Sequence, residues 1–351
     1  MINADARKIM AQINKKMGSD VVVMGADIRH DLISRFTTGS VTYDYILGGG
    51  FPANQWHELR GEPSHGKTAI ALKTVAANQA INPDFTTVWV AAEQWVPEYA
   101  EMCGVDTSRM IVVETNIMED AYDAVLAFAE SKSVDCIVID SLPSLVPSTE
   151  DEKTMEEATV GRGALLTNKF FRKAGAAMKR SLTEAERPIL GLVINQWRQS
   201  IGVMYGDPRT TPGGKGKDYA YFTITEVRRK DWITTGSGEN QVKVGQQIVL
   251  KTTKNKSAPP YQTAAVDFYF KDHSIYGPGE FDVAKEIVAM SIINQVVERK
   301  GGWLYYGDRK WQGGEAFATS VREDVDLFEE LRKKVLDSQI TYTEGDSDVE
   351  E

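Results

Sequence analysis

Short apolar runs alternate with segments of helical periodicity over the middle of the chain. The runs TTVWVAAE, CIVIDS and PILGLVINQ are largely apolar, which is typical of strands buried on both faces of a sheet, and WHELRG is predicted as a further strand. Helical segments such as AIALKTVAANQA lie between them. This alternation predicts an α/β fold with a mostly parallel central sheet covered on both faces.

The first residues have a different pattern. Ile9, Ile13 and Met17 recur at every fourth position, which predicts an amphipathic helix that ends at Gly18. The β-branched run Val21–Met24 then predicts a short strand with no obvious partner near it in the sequence. Such a strand either pairs with the sheet edge of another molecule or docks on its own core.

The last part of the chain changes character after about residue 270. It predicts a helix, two short aromatic strands around WLYYGDRKWQ, and a closing helix over SVREDVDLFEELRKKVL. We therefore expect a small α+β C-terminal domain, followed by an acidic tail, EGDSDVEE, that lacks apolar periodicity and is predicted to be disordered. The predicted parts are 1–32, 33–270, 271–337 and 338–351.

Composition leaves most classes of globular protein open. The chain has 351 residues, of which 42% are apolar and 26% charged, as in soluble globular proteins. No apolar stretch approaches a membrane span, so we expect a cytoplasmic protein that does not contact membranes. Cys103 and Cys136 lack metal-type spacing, and we expect no structural disulfide. The net charge of -10 does not exclude a nucleic-acid partner, because screening confines each charge's influence to about 10 Å.

The segment GEPSHGKT fits the phosphate-loop pattern GxxxxGK[ST] and lies between a predicted strand and a predicted helix. Its backbone N–H groups and the helix N-terminus favour an anion, and Lys67 can neutralise β- and γ-phosphates. The Thr68 hydroxyl is suited to Mg²⁺. We therefore predict an ATP and Mg²⁺ site formed by Gly61, Glu62, Pro63, Ser64, His65, Gly66, Lys67 and Thr68.

Acidic residues end two of the predicted strands. Asp140 ends CIVID, from where a carboxylate reaches the magnesium shell, and Ser141 follows it. Glu93 ends VWVAAE and is placed to accept a proton from an attacking water. For each carboxylate, a helix N-cap or a surface position is the alternative.

A further junction lies at Ile194–Gly214, INQWRQSIGVMYGDPRTTPGG, where an apolar strand ends in two amides and enters a long Gly/Pro/Thr loop. Asn195 and Gln196 occupy the carboxyl end of the strand, where open α/β sheets bind ligands. Over some twenty consecutive positions this stretch resembles the second DNA-binding loop of RecA-type recombinases.

The resemblance extends from about residue 4 to about residue 335 and implies a RecA-like P-loop ATPase core. It makes Glu93 the catalytic base, Lys67 and Thr68 the phosphate-loop pair, and Asp140 the second acidic motif. It makes Gln196 the sensor of the γ-phosphate. Further nucleotide-contacting positions that it implies are Tyr99, which stacks on adenine, and Lys254 and Lys256, which reach the nucleotide of a neighbouring protomer.

The resemblance also implies two DNA-binding loops, at about 147–162 and 197–217, and an N-terminal helix and strand that pack on the adjacent protomer. The implied partners are single-stranded DNA, homologous double-stranded DNA and further copies of the chain in a helical filament, with repressor or mediator proteins as possible additions. For the tail, a solubilising end and an autoinhibitory mimic of DNA remain open. The DNA-binding positions are Val160, Arg162, Arg172, Arg198, Met204, Arg209, Thr210, Thr211, Gly213 and Gly214.

Two other functions use parts of this pattern. A hexameric helicase or related ATPase shares the nucleotide core but does not need the N-terminal docking helix or this second loop. A passive single-strand-binding protein would lack Glu93 and the two trans lysines, and normally relies on aromatic stacking platforms.

Overall fold

The structure is a computed structural model that describes residues 2–18, 21–25, 34–151, 161–178, 187–199 and 208–339. Its helices are α1 (Ala4–Met17), α2 (Val41–Leu47), α3 (Lys67–Ile81), α4 (Pro97–Met102), α5 (Met118–Ser131), α6 (Ser148–Asp151), α7 (Arg162–Ala177), α8 (Gly216–Ala220), α9 (Val283–Ile293), α10 (Gly313–Glu323) and α11 (Val325–Asp337). Its strands are β1 (Arg35–Phe36), β2 (Phe51–Pro52), β3 (Gln55–Gly61), β4 (Thr87–Ala91), β5 (Met110–Glu114), β6 (Cys136–Asp140), β7 (Leu190–Gln196), β8 (Arg198–Gln199), β9 (Arg209–Thr210), β10 (Thr223–Thr235), β11 (Val242–Asn255), β12 (Thr263–Tyr269), β13 (Glu298–Lys300), β14 (Trp303–Tyr306) and β15 (Arg309–Gln312).

Eight strands form the central sheet in the order β12-β11-β10-β3-β7-β6-β4-β5. The strands from β10 to β5 are mutually parallel, whereas β11 and β12 run antiparallel at one end. The predicted mostly parallel α/β sheet is therefore confirmed. In this register Gly61 pairs with Gln196 and Ala91 with Asp140, so the ends of four strands meet at one edge.

The sheet is covered on both faces, as predicted. On one face, Ile70 and Leu72 of α3 pack in a cluster that includes Trp89 and Leu192. On the other, side chains of α5 and α7 pack around Trp56, whose ring meets Phe170 and Phe171 edge-on. Burial on both faces explains why β4, β6 and β7 are largely apolar. Cys103 and Cys136 are buried in the first cluster and neither forms a disulfide.

The N-terminal helix forms as the sequence predicts, but the following strand does not. The side chain of Asn3 caps α1, and Gly18 ends the helix in the left-handed conformation. Residues 21–25 have no strand structure in the single chain. The Asn14 side chain bonds instead to both the N–H and the carbonyl of Val22, each at 2.8 Å, and occupies groups that a strand would use in pairing.

The C-terminal part differs in detail from the prediction. Three strands, not two, form its small sheet, in the order β13-β14-β15. The expected closing helix is divided into α10 and α11 because the Asp324 side chain caps the start of α11 at Leu327 N–H while its own backbone ends α10. The boundaries of the four predicted parts remain predictions, and most of the acidic tail, 340–351, lies outside the described residues.

No helix within the described ranges has the length and apolar character needed to cross a bilayer.

Candidate nucleotide and DNA site

The phosphate loop joins β3 to α3 at the edge where the strand ends meet. Gly66, with φ 96°, precedes α3 and provides no side-chain cap, so the first N–H groups of a 15-residue helix face the loop. The Nζ of Lys67 donates to the carbonyl oxygens of Gly61 at 3.1 Å and Glu62 at 2.7 Å. Burial lowers the pKa of Lys67, while Asp140, Glu93 and Glu62 oppose that effect.

Thr68 and Asp140 bring two oxygen ligands together beside this loop. Thr68 Oγ1 donates to Asp140 Oδ2 at 3.0 Å. Asp140 is only 8% exposed, and burial, with a further contribution from the Glu93 carboxylate, raises its pKa to about 7. A buried carboxylate beside a second carboxylate favours a cation, and hydroxyl and carboxylate oxygens are the ligands that Mg²⁺ prefers. The donor set therefore fits the predicted metal.

Glu93 accepts hydrogen bonds from three side chains on one oxygen. Its Oε1 accepts hydrogen bonds from Ser141 Oγ at 2.5 Å, Ser144 Oγ at 3.2 Å and Gln196 Nε2 at 3.2 Å. The carboxylate is exposed to solvent, so water can reach it. The structure therefore brings together the predicted base, Ser141 and the predicted sensor, which come from three separate parts of the chain.

A cavity beside the phosphate loop has an aromatic lining. It is lined by Thr68 and Tyr99, as expected for a base-binding position, and also by Trp232, Phe268 and Phe270. Burial raises the pKa of the Tyr99 hydroxyl well above its ordinary value. Trp232 lies in β10, and Phe270 directly follows β12. The sequence did not predict these two residues as part of the site because both are far along the chain from any nucleotide motif.

The base of the second loop is fixed by a buried charged network. Lys217 and Glu58 are both fully buried and form an ion pair at 3.2 Å. Lys217 also donates to Thr211 Oγ1 at 2.8 Å, and Asn195 Nδ2 donates to Glu58 Oε1 at 2.8 Å. Removing either residue of this pair would leave the charge of the other buried and uncompensated. Lys217, the last residue of the predicted second loop, is therefore fully buried.

The predicted DNA-binding residues divide into three groups. The first group is exposed to solvent. It consists of Arg162 and Arg172 in α7, and of Arg198, Arg209 and Thr210 in the paired strands β8 and β9. Thr211, Gly213 and Gly214 are half-buried. Val160 and Met204 lie outside the described residues.

Of the two predicted trans lysines, Lys254 lies near the end of β11 and Lys256 just after that strand. Because β11 runs antiparallel to β10, this end pairs with Thr223, opposite His57 of β3, and runs away from the edge at which the phosphate loop begins. Lys254 Nζ donates to the backbone carbonyl of Asp218 at 2.5 Å, just after the second loop. Lys256 Nζ lies 5.8 Å from the ring centre of Phe222. Burial and the neighbouring charge of Lys256 lower the pKa of Lys254.

The chain is similar to known proteins over most of its length. The family model for the RecA N-terminal domain matches residues 5–275. Protein RecA of Lactiplantibacillus pentosus is 34% identical over 354 residues, covering 98% of this chain and 88% of the relative. Protein RecA of Lactiplantibacillus plantarum is 35% identical, covering 95% and 85%. Protein RecA of Staphylococcus aureus strain JH9 is 33% identical, covering 96% and 92%.

The family match spans the phosphate loop, both acidic strand ends and the second loop, and the relatives extend through the C-terminal part. The chain therefore belongs to the RecA family of recombinases, DNA-dependent ATPases that pair homologous DNA and exchange its strands in recombination and repair.

Proposed function

We propose that this chain binds ATP and Mg²⁺ at the phosphate loop and hydrolyses ATP in response to DNA. Lys67 and the N-terminus of α3 would hold the phosphates, while Thr68 and Asp140 would hold the metal. Bound Mg²⁺ would neutralise charge on the phosphates. Tyr99, together with Phe270 and Trp232, would hold the base, because flat aromatic faces suit a purine.

Glu93 would act as the general base. Its exposed carboxylate is positioned by Ser141, Ser144 and Gln196. A carboxylate held in this way can accept a proton from a water molecule that attacks the γ-phosphate. Ser141 would keep the carboxylate in place through its 2.5 Å hydrogen bond.

The hydrogen bond between Gln196 and Glu93 is the observation that most strongly supports a coupling of ATP to DNA. Gln196 ends β7, and the second loop begins immediately after it. From this position the Gln196 amide can exchange its hydrogen bond to Glu93 for one to a phosphate oxygen without leaving the site. Because its backbone continues into the loop, the same change would alter the loop's conformation and DNA affinity.

DNA would contact the backbone N–H groups, hydroxyls and arginines of the two loops, which recognise phosphates without sequence preference. The assignments of Val160 and Met204 rest on the family resemblance. Lys254 and Lys256 would reach the nucleotide of a neighbouring protomer, so Lys254 would exchange its bond to Asp218 for that contact. Hydrolysis would then take place at subunit boundaries of a filament.

The test is ATP turnover and joint-molecule formation by the full chain and by Lys67→Ala. The wild type should hydrolyse ATP faster when single-stranded DNA is added and should pair it with homologous duplex. Lys67→Ala should reduce turnover by about a hundredfold or more, because a charge that stabilises the transferring phosphoryl group is lost. Lys333→Ala, which removes an exposed lysine of α11, is the control and should retain both activities. Wild-type protein without turnover, or equal turnover by Lys67→Ala, would contradict the proposal.

A further inference from the structure

Trp197 directly follows Gln196 and lies between two arginines. The guanidinium carbon of Arg60 and that of Arg209 are each 4.7 Å from the centre of its ring. Both distances are within the range of a cation–π interaction. The indole is only half-buried, so the stack lies at the surface of the nucleotide edge and outside the core.

One arginine of the stack belongs to the nucleotide side. Arg60 is the residue of β3 immediately before Gly61, where the phosphate loop begins. Its Nη2 donates to Glu226 Oε1 and Thr253 Oγ1, each at 3.2 Å, on the adjoining strands β10 and β11. Arg60 is therefore fixed to three strands of the central sheet and provides a rigid support for one face of Trp197.

The other arginine belongs to the DNA side. Arg209 lies in β9, which pairs with β8 so that Gln199 is opposite Arg209 and Arg198 opposite Thr210. These two short strands are the stem of the second loop. Through Arg209 the stem contacts Trp197, and through Trp197 it contacts Arg60 and the sheet.

We propose that Trp197 is a positioning residue that transmits the nucleotide state from Gln196 to Arg209. This inference rests on the proposed function, and specifically on the step in which Gln196 gives up its hydrogen bond to Glu93 and binds the nucleotide. In the state described here, Trp197 holds Arg209 against Arg60. Movement of Gln196 displaces the adjoining indole and releases Arg209 toward a DNA phosphate, which as a charged acceptor binds guanidinium more strongly than a half-exposed ring does.

The proposed role predicts that loss of a side chain strengthens DNA binding. Removal of the indole should take away one of the contacts that hold Arg209, so Trp197→Ala should bind single-stranded DNA more tightly than the wild type when ATP is absent. With a non-hydrolysable ATP analogue the two proteins should bind alike, because Arg209 is released in both. The ratio of the two affinities, and not either affinity alone, reports the positioning role.

The experiment measures binding of a fluorescent oligo-dT to the full chain, without nucleotide and with the ATP analogue. For Trp197→Ala we expect about threefold to tenfold tighter binding without nucleotide, the scale of one charge-assisted contact, and no change with the analogue. Trp197→Phe keeps an aromatic face and should behave as the wild type. In Trp197→Ala/Arg209→Ala the gain should disappear. Trp303→Ala removes another partly exposed tryptophan with a cation near its ring, and should change neither affinity.

Two sets of outcomes would overturn the inference. Equal weakening of both affinities in Trp197→Ala would make Trp197 a DNA contact or a structural residue, and an unchanged ratio would give it no part in the coupling. Thermal unfolding of Trp197→Phe and Trp197→Ala separates either outcome from misfolding. The proposed function fails separately, if the wild type itself binds DNA equally with and without the ATP analogue.

Discussion

Gly61, the last residue of β3 and the first of the phosphate loop, packs directly against the backbone of β10. A Cβ atom placed there would lie 2.1 Å from the carbonyl oxygen of Val227 in β10. The obstacle is backbone in the middle of a sheet, so it cannot rotate away as a side chain can. The first glycine of the phosphate loop is therefore required by strand packing as well as by phosphate binding.

We expect Gly61→Ala to lower the free energy of unfolding by about 1–3 kcal/mol or more, the scale of overpacking in a filled interior, and to weaken ATP binding. Gly175→Ala is the matched control, because nothing lies within 4 Å of a Cβ at that position of α7. It should stabilise the protein by about 0.5–1 kcal/mol, since alanine is the better helix former. Urea unfolding measures both variants, and equal stability of Gly61→Ala and wild type would refute the packing argument.

Single residues were predictable where a local motif carries them. Lys67, Thr68, Glu93 and Asp140 follow from a contiguous phosphate loop and from strand ends that a parallel sheet places at one edge. Neither Glu58 opposite Lys217 nor Trp197 between its two arginines follows in this way. Those contacts depend on the adjacency of β3, β7 and β10 in the sheet, which no local pattern specifies.

At the scale of elements, α9 is joined to the start of α2 by one buried carboxylate. Glu286 Oε2 accepts from Ser40 Oγ at 2.7 Å, Thr42 N–H at 2.9 Å and Thr42 Oγ1 at 2.8 Å. Burial raises the pKa of Glu286 to about 7, the three hydrogen bonds oppose this, and Asp44 adds to it. The packing of the C-terminal helices on the sheet therefore includes a group that titrates near neutral pH.

The sign of the resulting pH dependence follows from linkage. Between pH 4.5, the ordinary value, and about pH 7 the folded chain keeps the Glu286 proton while the unfolded chain releases it. The contribution of Glu286 to stability is therefore complete below pH 4.5 and is lost as the pH rises to about 7, by up to about 3 kcal/mol. Urea unfolding across this range should show the decline for wild type relative to Glu286→Gln, which cannot titrate. Parallel curves for the two proteins would contradict the assignment.

The longest hairpin of the sheet was not predicted from the sequence, because its burial changes along its length. The hairpin β10–β11 is buried beside β3 but exposed over its outer half, where Arg228, Lys230 and Asp231 interrupt the apolar pattern. A strand of this kind resembles neither a continuous apolar run nor a regular alternation. The strands β3, β4, β6 and β7, buried on both faces, were predicted because their whole length lies in one environment.

At the scale of the whole molecule, α1 presents an apolar stripe that is largely exposed. Ile9 is 55% and Met17 63% exposed, and no residue of α1 is buried. An apolar stripe on an exposed helix is typical of a surface that packs against another chain. It supports the prediction that α1 packs on the adjacent protomer of a filament.

We expect Ile9→Glu to weaken filament assembly on single-stranded DNA by about tenfold or more, because a charge would be buried at the protomer contact. Ala11→Glu, which introduces the same charge about 200° around the helix, should assemble normally. Analytical ultracentrifugation with the ATP analogue and oligo-dT measures assembly. Normal assembly by Ile9→Glu would place the contact elsewhere.

The central claim is that Gln196 couples ATP hydrolysis to DNA, and ATP turnover with and without single-stranded DNA tests it most directly. Wild-type turnover should rise on addition of DNA, and Gln199→Ala, which removes an exposed amide from the same loop stem, should respond alike. Gln196→Ala should still bind ATP, because Lys67 and α3 hold the phosphates, but its turnover should not respond to DNA. Equal stimulation of Gln196→Ala and wild type by DNA would contradict the account.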